Sequence, residues 1–587
     1  MPDATPDFYA QLARTLNSNQ SRSVILCGNV YDLFWDGRQY VPLIPFLCEK
    51  SKIKGLMRLV YELNGPIRIL DGREKLRNAW ISWKAGLDID TLLVRGLREK
   101  GPTEAERLAQ QFDQLLLDSI GNPALALELL RQLTVCSRAS HLADDLVIFI
   151  EAADMLLPAG SGDVASLNDK QLHRISIVQD WFGDPAFLDG NDSVVLLSES
   201  RSLIHPRISR LPQVLPVEVP PPGTADRLHF IEHFLSTARQ KPQLWGSPQD
   251  LAAMTAGLSI HAIRQLLLSA GYGSQPLQPA DVVGKVEEFI QGQIGEDVVD
   301  FQKPSHRLDD CVGFRRLKEF LRKELIPRFR AAGEQALSGA AVAGPIGGGK
   351  TFIFEAVAAE LDLPVLVLKN IRSQWFGQTD VILERLRRLL KALEKVVIFV
   401  DEADTQFGGV GPQTHETERR LTGKIQAMMS DPRLRGKVVW LLMTARIHRL
   451  SPDIRRPGRV GDLIIPVLDP EGEDRKEFLR WMVRKILPDP TDEDLARLDA
   501  LTPGYSAASF ASLRSYLKAM QPKTLDEVAA MARDHITPAI GLTRRYQTLQ
   551  ALLNCTRRSL LPNSEVSDEE REAWQLELRQ LESLGIE

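Results

Sequence analysis

Residues 344–351 read Gly-Pro-Ile-Gly-Gly-Gly-Lys-Thr, a full match to the phosphate-binding pattern G-x-x-x-x-G-K-[ST]. The run follows Ala-Ala-Val-Ala and precedes an apolar helical pattern, so it is predicted to join a short buried strand to a helix. Its glycines allow backbone N–H groups to close around a triphosphate. Lys350 would contact the β- and γ-phosphates, and Thr351 would bind Mg²⁺ through its hydroxyl.

A second motif lies further along the chain. Residues 396–404 read Val-Val-Ile-Phe-Val-Asp-Glu-Ala-Asp, an apolar run that ends in carboxylates. Such a run predicts a strand of a buried parallel sheet. Asp401 would hold Mg²⁺ through water, and Glu402 would polarise the attacking water. Because the two motifs occur in this order and at domain-scale spacing, they predict a site that hydrolyses a nucleoside triphosphate.

Length and composition indicate a multidomain globular protein. The 587 residues exceed what one core organises, so about two to four domains are expected. The net charge of −5, with Lys and Arg spread along the chain, argues against a nucleic-acid partner. The five cysteines form no C-x-x-C pair, which fits a reducing cytosol. Neither a signal peptide nor an apolar run long enough to span a membrane is visible, so we expect a cytoplasmic protein.

The chain carries a diverged internal repeat. Leu-Val-Ile-Phe-Ile-Glu-Ala-Ala-Asp at 146–154 resembles the run at 396–404. Two further pairs of segments match in the same order, namely 194–201 with 439–446, and 255–268 with 502–517. Repeats of this size predict two copies of one domain.

The first copy lacks the residues that the predicted chemistry needs. After its first strand the chain reads Cys-Gly28-Asn-Val-Tyr-Asp-Leu-Phe, with one glycine and no Lys-Thr. Its second motif ends in Glu151-Ala152, so the carboxylate that would polarise water is missing. We therefore interpret the first copy as a domain without hydrolysis. Weak nucleotide binding there stays open.

These motifs resemble those of the AAA clade of AAA+ ATPases, over about 306–520 and, in degenerate form, over much of 20–275. The resemblance implies an α/β fold of two tandem AAA+ modules. Each module would be a parallel P-loop α/β core with a small helical lid. It divides the chain into a degenerate AAA-like domain without catalytic motifs (1–285), a linker (286–305), a large ATPase subdomain (306–480), its helical lid (481–525) and a C-terminal helical extension (526–587).

The resemblance also implies ATP and Mg²⁺ as cofactors and places their ligands. Asp401 and Glu402 match the Walker B positions, with Thr351 and Asp401 as the metal residues. The residues implied to bind the nucleotide include the adenine-pocket glycine, the Walker A loop, the residue after it and one lid position: Gly313, Gly344, Pro345, Ile346, Gly347, Gly348, Gly349, Lys350, Thr351, Phe352 and Ala508.

Two positions depart from the family pattern. The run Met443-Thr444-Ala445-Arg446 lacks the asparagine that usually orients the attacking water, and Thr444 could substitute for it. The lid helix has Ala507 where the family usually has glycine, whereas Ala508 fits. The first departure puts fast hydrolysis in question but not nucleotide binding.

Arg456 and Arg459, in Ser-Pro-Asp-Ile-Arg-Arg-Pro-Gly-Arg, resemble the family's arginine fingers. Such guanidinium groups reach the γ-phosphate in a neighbouring subunit and neutralise charge in the transition state. The alternative is an ordinary basic surface loop. Fingers require a second subunit, so they imply a homo-oligomeric ring, and six subunits follow from the resemblance alone.

Trp375-Phe376-Gly377 resembles the family's first pore loop, in which aromatic side chains grip a polypeptide in the central channel of the ring. The alternative is that both aromatic residues belong to the core. The leading functional hypothesis is an ATP-driven remodeller that unfolds or disassembles a protein substrate or complex. The alternative is a slow nucleotide-gated scaffold or assembly factor, and a nucleic-acid motor is the weakest reading because no basic stripe is present.

Overall fold

The computed structural model describes residues 6–97, 101–160, 167–273, 276–295, 298–301, 306–331, 333–361, 365–369, 379–393, 395–407, 416–562 and 565–586. By internal contacts the chain divides into two units. The first comprises residues 1–289 with 375–392, and the second comprises residues 290–374 with 393–587.

A six-stranded sheet forms the centre of the first unit. The strands of this unit are β1 (Ser23–Gly28), β2 (Leu33–Trp35), β3 (Tyr40–Pro42), β4 (Leu56–Tyr61), β5 (Ile67–Ile69), β6 (Asp145–Ile150), β7 (Ser193–Ser198) and β8 (Val214–Val219). The sheet order is β5-β4-β6-β7-β1-β8, and β2 pairs with β3 in a separate hairpin. All neighbours in the large sheet run parallel except β4 and β5.

Helices pack on both faces of this sheet, and further helices follow its last strand. They are α1 (Asp7–Asn17), α2 (Leu43–Lys50), α3 (Arg73–Ala85), α4 (Ile89–Gly96), α5 (Glu104–Asp118), α6 (Pro123–Ala139), α7 (Ala153–Leu156), α8 (Asp169–Gly183), α9 (Pro185–Leu188), α10 (Pro206–Ser209), α11 (Thr224–Thr237), α12 (Pro248–Met254), α13 (Ile260–Tyr272) and α14 (Pro279–Ile294), which ends beyond the boundary of the unit. Strands such as β7 are buried along their whole length, which explains their unbroken apolar runs.

The second unit repeats this plan. Its strands are β9 (Val299–Phe301), β10 (Gly339–Ala343), β11 (Val365–Leu368), β12 (Val396–Val400), β13 (Val438–Thr444) and β14 (Ile464–Pro466). They form one sheet in the order β14-β10-β13-β12-β11-β9. Only β9 runs antiparallel, against β11. The phosphate loop follows β10 and the Asp-Glu motif follows β12, at the carboxyl ends of strands separated by β13.

The helices after the link region are α15 (Arg315–Phe320), α16 (Ile326–Arg330), α17 (Lys350–Leu361), α18 (Thr379–Ala392), which groups with the first unit, α19 (Ala403–Phe407), α20 (Glu416–Met429), α21 (Pro452–Arg455), α22 (Gly472–Val483), α23 (Asp492–Leu501), α24 (Ala507–Met520), α25 (Leu525–Asp534), α26 (Gly541–Asn554) and α27 (Asp568–Ser583). Helices α22–α25 share a hydrophobic core, which is the helical lid. The C-terminal extension is helical, and α26 packs against α27 through Tyr546, Leu549 and Leu581.

The two units share one strand order, which confirms the predicted fold of tandem parallel α/β modules. Strand β1 corresponds to β10, β6 to β12 and β7 to β13. A Cβ on Gly28 would lie 2.4 Å from the carbonyl oxygen of Val219, and one on Gly344 would lie 2.0 Å from that of Val467. After β6 and β12, Ala152 has φ 50° and Glu402 has φ 47°, so both segments turn through the same left-handed conformation.

The units also differ in two places. The first carries additional helices between β5 and α6, whereas in the part of the chain that the structure describes α18 alone lies between β11 and β12. The antiparallel edge strand β5 follows β4, whereas β9 precedes the rest of its sheet. The region predicted as a linker, 286–305, contains the end of α14 and strand β9. No helix in the described part of the chain is long and apolar enough to cross a membrane.

Candidate nucleotide-binding site

The Walker A loop is shaped by glycines at positions that other residues would not fit. Gly344 lies against the backbone of Val467, and an added Cβ would overlap its carbonyl oxygen at 2.0 Å. Gly347 and Gly349 have φ values of 77° and 88°, in the left-handed region. The resulting turn leads directly into α17, whose N-terminus favours anions such as phosphate.

Lys350 is held inside this loop. Its Nζ donates hydrogen bonds to the carbonyl oxygens of Gly344 and Pro345, both at 2.9 Å. Burial lowers the pKa of Lys350 to about 8, and the nearby carboxylates of Asp401 and Asp404 oppose this shift. The ammonium group is thus partly shielded from water and lies inside the loop that would surround the phosphates.

Thr351 and Asp401 meet where the two motifs converge. The Thr351 hydroxyl donates to Asp401 Oδ2 at 3.0 Å. A hydroxyl and a carboxylate are hard oxygen ligands of the kind that Mg²⁺ prefers, and Mg²⁺ retains waters beside them. These two residues therefore fit a magnesium ion that also binds nucleotide phosphates.

Glu402 stands next to this pair at the end of β12. Its backbone N–H donates to Asp401 Oδ1 at 2.8 Å, and its carbonyl accepts from the Thr405 amide at 2.8 Å. Its side chain is exposed. The left-handed backbone, uncommon outside glycine, stops the strand and starts α19 at this residue. The carboxylate is therefore accessible to water beside the predicted metal residues.

Thr444 lies at the end of β13 and is 1% exposed. Its hydroxyl donates to Asp404 Oδ1 at 2.6 Å and accepts from the Arg446 amide at 2.8 Å. The threonine at the position predicted to orient water is therefore already engaged with Asp404. Its direct contact in this structure is the carboxylate that follows the Walker B pair.

Two further residues predicted to bind the nucleotide have different neighbours, because Gly313 contacts the lid and Phe352 contacts His306. The Gly313 amide donates to Glu477 Oε2 at 3.2 Å, and a Cβ on Gly313 would lie 2.9 Å from the Phe478 ring. The ring of Phe352 stacks on His306 at 3.8 Å and 10°. Phe352 is 49% exposed, so it keeps an aromatic surface available next to the phosphate loop.

The N-terminus of lid helix α24 contacts the Walker A loop directly. The Ala508 amide donates to the Gly347 carbonyl at 3.0 Å. A Cβ on Gly349 would lie 3.6 Å from that of Ala507, so alanine at the unusual lid position is accommodated. The loop, the lid and the carboxyl ends of β12 and β13 therefore surround one site.

The two candidate fingers differ in their surroundings. Arg456 is exposed. Arg459 donates from Nε to Ser430 Oγ at 2.7 Å and from Nη1 to the Asp453 carbonyl at 2.8 Å. The proposed pore-loop residues Trp375, Phe376 and Gly377 lie outside the described residues.

Residues missed by sequence reasoning come from the C-terminal extension. Arg544 and Gln547 of α26 hydrogen-bond to the backbone of Ile346 in the Walker A loop. The sequence shows an apolar-periodic helix there but no motif. No local signal identifies a partner that is 198 or 201 residues away.

Comparison with known families agrees with this geometry. The family "ATPase family associated with various cellular activities (AAA)" matches residues 340–466, which contain both Walker motifs. The second module is an AAA ATPase domain. The family "AAA+ chaperone, N-terminal Rossmann-like domain" matches residues 1–220, and "AAA+ chaperone, second helical domain" matches residues 225–295. The predicted AAA resemblance, with a degenerate first module, is confirmed.

Each of the following curated relatives matches less than half of this chain. A cell division cycle protein 48 homolog of Archaeoglobus fulgidus is 34% identical over 32% of this chain and 25% of its own length. Protein SAV of Sulfolobus acidocaldarius is 26% identical over 48% of this chain and 36% of its own. The ATP-dependent zinc metalloprotease FtsH 4 of Sphaerobacter thermophilus is 30% identical over 39% and 36%. The chain thus spans about a quarter to a third of these relatives.

The Rossmann-like module has a different arrangement at the place of the AAA site. Its loop after β1 carries Asp32, a carboxylate that is 2% exposed. Asp32 accepts the amides of Ile260 and His261, each at 2.9 Å, at the start of α13, and Asn29 Nδ2 at 2.8 Å. Helix α13 corresponds to the AAA lid helix α24. A protein carboxylate therefore binds the helix N-terminus in this module, where the loop also lacks a lysine for phosphates.

Proposed function

We propose that the protein is an ATP-hydrolysing AAA+ remodeller that unfolds, remodels or disassembles a protein substrate or complex. The observation that carries this proposal is the convergence of Lys350, Thr351, Asp401 and Glu402 in one site of an AAA domain. Those side chains supply a phosphate-binding ammonium, oxygen ligands for Mg²⁺ and an accessible carboxylate.

The chain's own residues would act in sequence. The loop amides after Gly344 and the Lys350 ammonium bind and orient the phosphates of ATP. Mg²⁺, when bound, supplies charge neutralisation at those phosphates. Thr351 and Asp401 would hold the ion, and Glu402 would orient water and accept its proton. Lys350 must leave its contacts with Gly344 and Pro345 in part, because the phosphates compete for the same donor.

We further propose a homo-oligomeric ring, taken as a hexamer from the AAA resemblance, in the cytoplasm. Arg456 is exposed, so its guanidinium could enter the site of an adjacent subunit. A finger that acts in this way requires a second subunit, which is why the ring is proposed. Arg459, which bonds to Ser430 and Asp453, would hold the finger segment in place. Trp375, Phe376 and Gly377 remain the proposed pore loop that contacts the polypeptide substrate.

A slow nucleotide-gated scaffold is the second candidate. The observation that favours it is Thr444, whose hydroxyl is bonded to Asp404 while Ala445 offers no side-chain amide. Water would then be oriented by Glu402 alone. This arrangement predicts nucleotide binding with low turnover, in which conformation follows the bound nucleotide.

Two substitutions in the full chain test the site. Lys350→Ala should abolish high-affinity ATP binding, because the phosphates lose the cation that the Walker A loop holds. Glu402→Gln should retain binding and trap unhydrolysed ATP. Equilibrium titration with ATP and quantification of released phosphate measure both effects. Full turnover by Glu402→Gln would refute the assigned role, and turnover by Lys350→Ala would place hydrolysis elsewhere in the chain. A wild-type protein that binds ATP but turns over very slowly would favour the scaffold.

A further inference from the structure

We propose that helix α26 of the C-terminal extension is part of the ATP site. In this proposal Arg544 is a positioning residue that connects the Walker A loop to the lid through hydrogen bonds. The proposal rests on the proposed ATP-binding function. Arg544 does not touch the residues assigned to chemistry in the site. It acts through the backbone of Ile346 and Gly504.

Arg544 bonds to segments that are far apart in sequence. Its Nε donates to the Ile346 carbonyl at 3.0 Å, and its Nη1 lies 3.4 Å from the Gly504 carbonyl. Its Nη2 forms an ion pair with Asp469, which follows β14. The side chain is 13% exposed. A planar guanidinium can make these bonds at once, whereas an ammonium group cannot span the same acceptors.

Gln547 completes the attachment one turn further along α26. Its Oε1 accepts the Ile346 amide at 2.9 Å, and the residue is 1% exposed. Residues three apart share a face of a helix. The same face of α26 therefore engages both the N–H and the C=O of Ile346. Because the Gln547 and Arg544 side chains are themselves largely covered and bond to a loop that must close around phosphates, α26 determines the position of that loop's outer turn.

The contact between Arg544 and the Gly504 carbonyl is relevant to function, because lids of enzymes open and close around the bound substrate. Gly504 comes shortly before α24, and it has φ 66°. The lid and the loop already meet through the Ala508 amide and the Gly347 carbonyl at 3.0 Å. Arg544 adds a second link that depends on a side chain from outside the lid. A change in lid position would therefore alter the restraint on Ile346.

Arg545 provides a matched control. It is the adjacent arginine on α26, and its guanidinium pairs with Glu577 of α27 at 2.6 Å. This pair is partly exposed, and exposed ion pairs contribute little to stability. Arg545→Ala removes the same charge from the same helix but breaks a pair with Glu577 instead of a bond to the Walker A loop.

The test compares ATP dissociation constants and melting temperatures of the full-length wild type, Arg544→Ala, Arg544→Lys and Arg545→Ala. We expect Arg544→Ala to weaken ATP binding by about tenfold, the effect of losing one to two charge-assisted hydrogen bonds. Arg544→Lys keeps a positive charge for Asp469 but cannot bond to Ile346 and Gly504 at the same time. It should therefore melt like the wild type and still bind ATP several-fold more weakly. Arg545→Ala should bind as the wild type does.

Hydrogen exchange of the same proteins adds a readout that simple destabilisation would not produce. In the wild type, ATP should protect both the loop and the peptide that contains Gly504. In Arg544→Lys, ATP should protect the loop but protect that peptide less. Wild-type affinity in Arg544→Ala, or full restoration by Arg544→Lys, would overturn the inference. If Arg544→Ala does not fold, Arg544→Lys decides. Lys350→Ala separates the two proposals, because ATP binding that survives it would count against the proposed site itself.

Discussion

Asp32 provides the sharpest prediction for the first module. Its buried carboxylate accepts the amides of Ile260 and His261 and the side-chain amide of Asn29, so Asp32→Ala would leave three donors without this acceptor. A buried donor left unsatisfied costs about 1–3 kcal/mol. Burial also raises the pKa of Asp32, because desolvation of the carboxylate offsets part of the free energy that these hydrogen bonds contribute. We therefore expect a net loss of about 3 kcal/mol in the unfolding free energy of this module.

Hydrogen exchange by mass spectrometry can localise this loss in the full chain. Amides at the start of α13 should exchange faster by about two orders of magnitude, which corresponds to about 3 kcal/mol of opening free energy. Asp36→Ala is the control. The Asp36 carboxylate accepts the amides of Arg38 and Gln39 in an exposed turn, so its loss should cost under about 1 kcal/mol and should not affect α13.

The result that would refute the reasoning is an Asp32→Ala protein whose α13 amides exchange within twofold of the wild type. The carboxylate would then not hold the helix. A gain of ATP binding in the first module of this variant would contradict a different step, namely that the loop after β1 lacks the groups needed for phosphates. Asp32→Asn keeps one oxygen acceptor, so the unfolding free energy of this variant should lie between those of the wild type and Asp32→Ala.

Four further predictions concern the finger segment, a buried carboxyl group and the pore loop. Arg456→Ala should lower kcat by about 10²-fold or more at nearly unchanged ATP affinity, and mixing it with Glu402→Gln subunits should restore part of the activity; no recovery in verified mixed rings would argue against a shared site. Arg459→Ala should lower kcat and also the melting temperature, since Arg459 bonds within its own module. Burial raises the pKa of Asp192 to about 6, so its protonation stabilises the fold fully below about pH 4, and this stabilisation is lost as pH rises through about 6. The unfolding free energy should therefore fall by about 3 kcal/mol between these pH values. Urea unfolding curves of Asp192→Asn should lack this pH dependence. Trp375→Ala should leave ATP hydrolysis and melting temperature unchanged but abolish work on a protein substrate, whereas a drop of several degrees would show that Trp375 is a core residue.

The sequence by itself determined the chemistry of the second module and its loss in the first. Walker A is a local pattern, because the glycines, Lys350 and Thr351 act within one turn of chain. The Asp401-Glu402 pair is equally local, at the end of an apolar strand. The absence of a lysine after Gly28 and of a carboxylate at Ala152 could be recognised in the same way. The repeated segments then predicted the repeated fold, which the common strand order confirms.

Only the tertiary structure decided which groups restrain these loops. Asp32 and Ile260 are 228 residues apart, and Arg544 and Ile346 are 198 apart. Both attachments end on backbone N–H or C=O groups. Every residue offers these groups alike, apart from the N–H that proline lacks, so they leave no signature in the partner's sequence. A motif can be read where neighbouring side chains perform the chemistry together. A side chain that reaches the backbone of a distant loop becomes visible only after folding has placed its helix beside that loop.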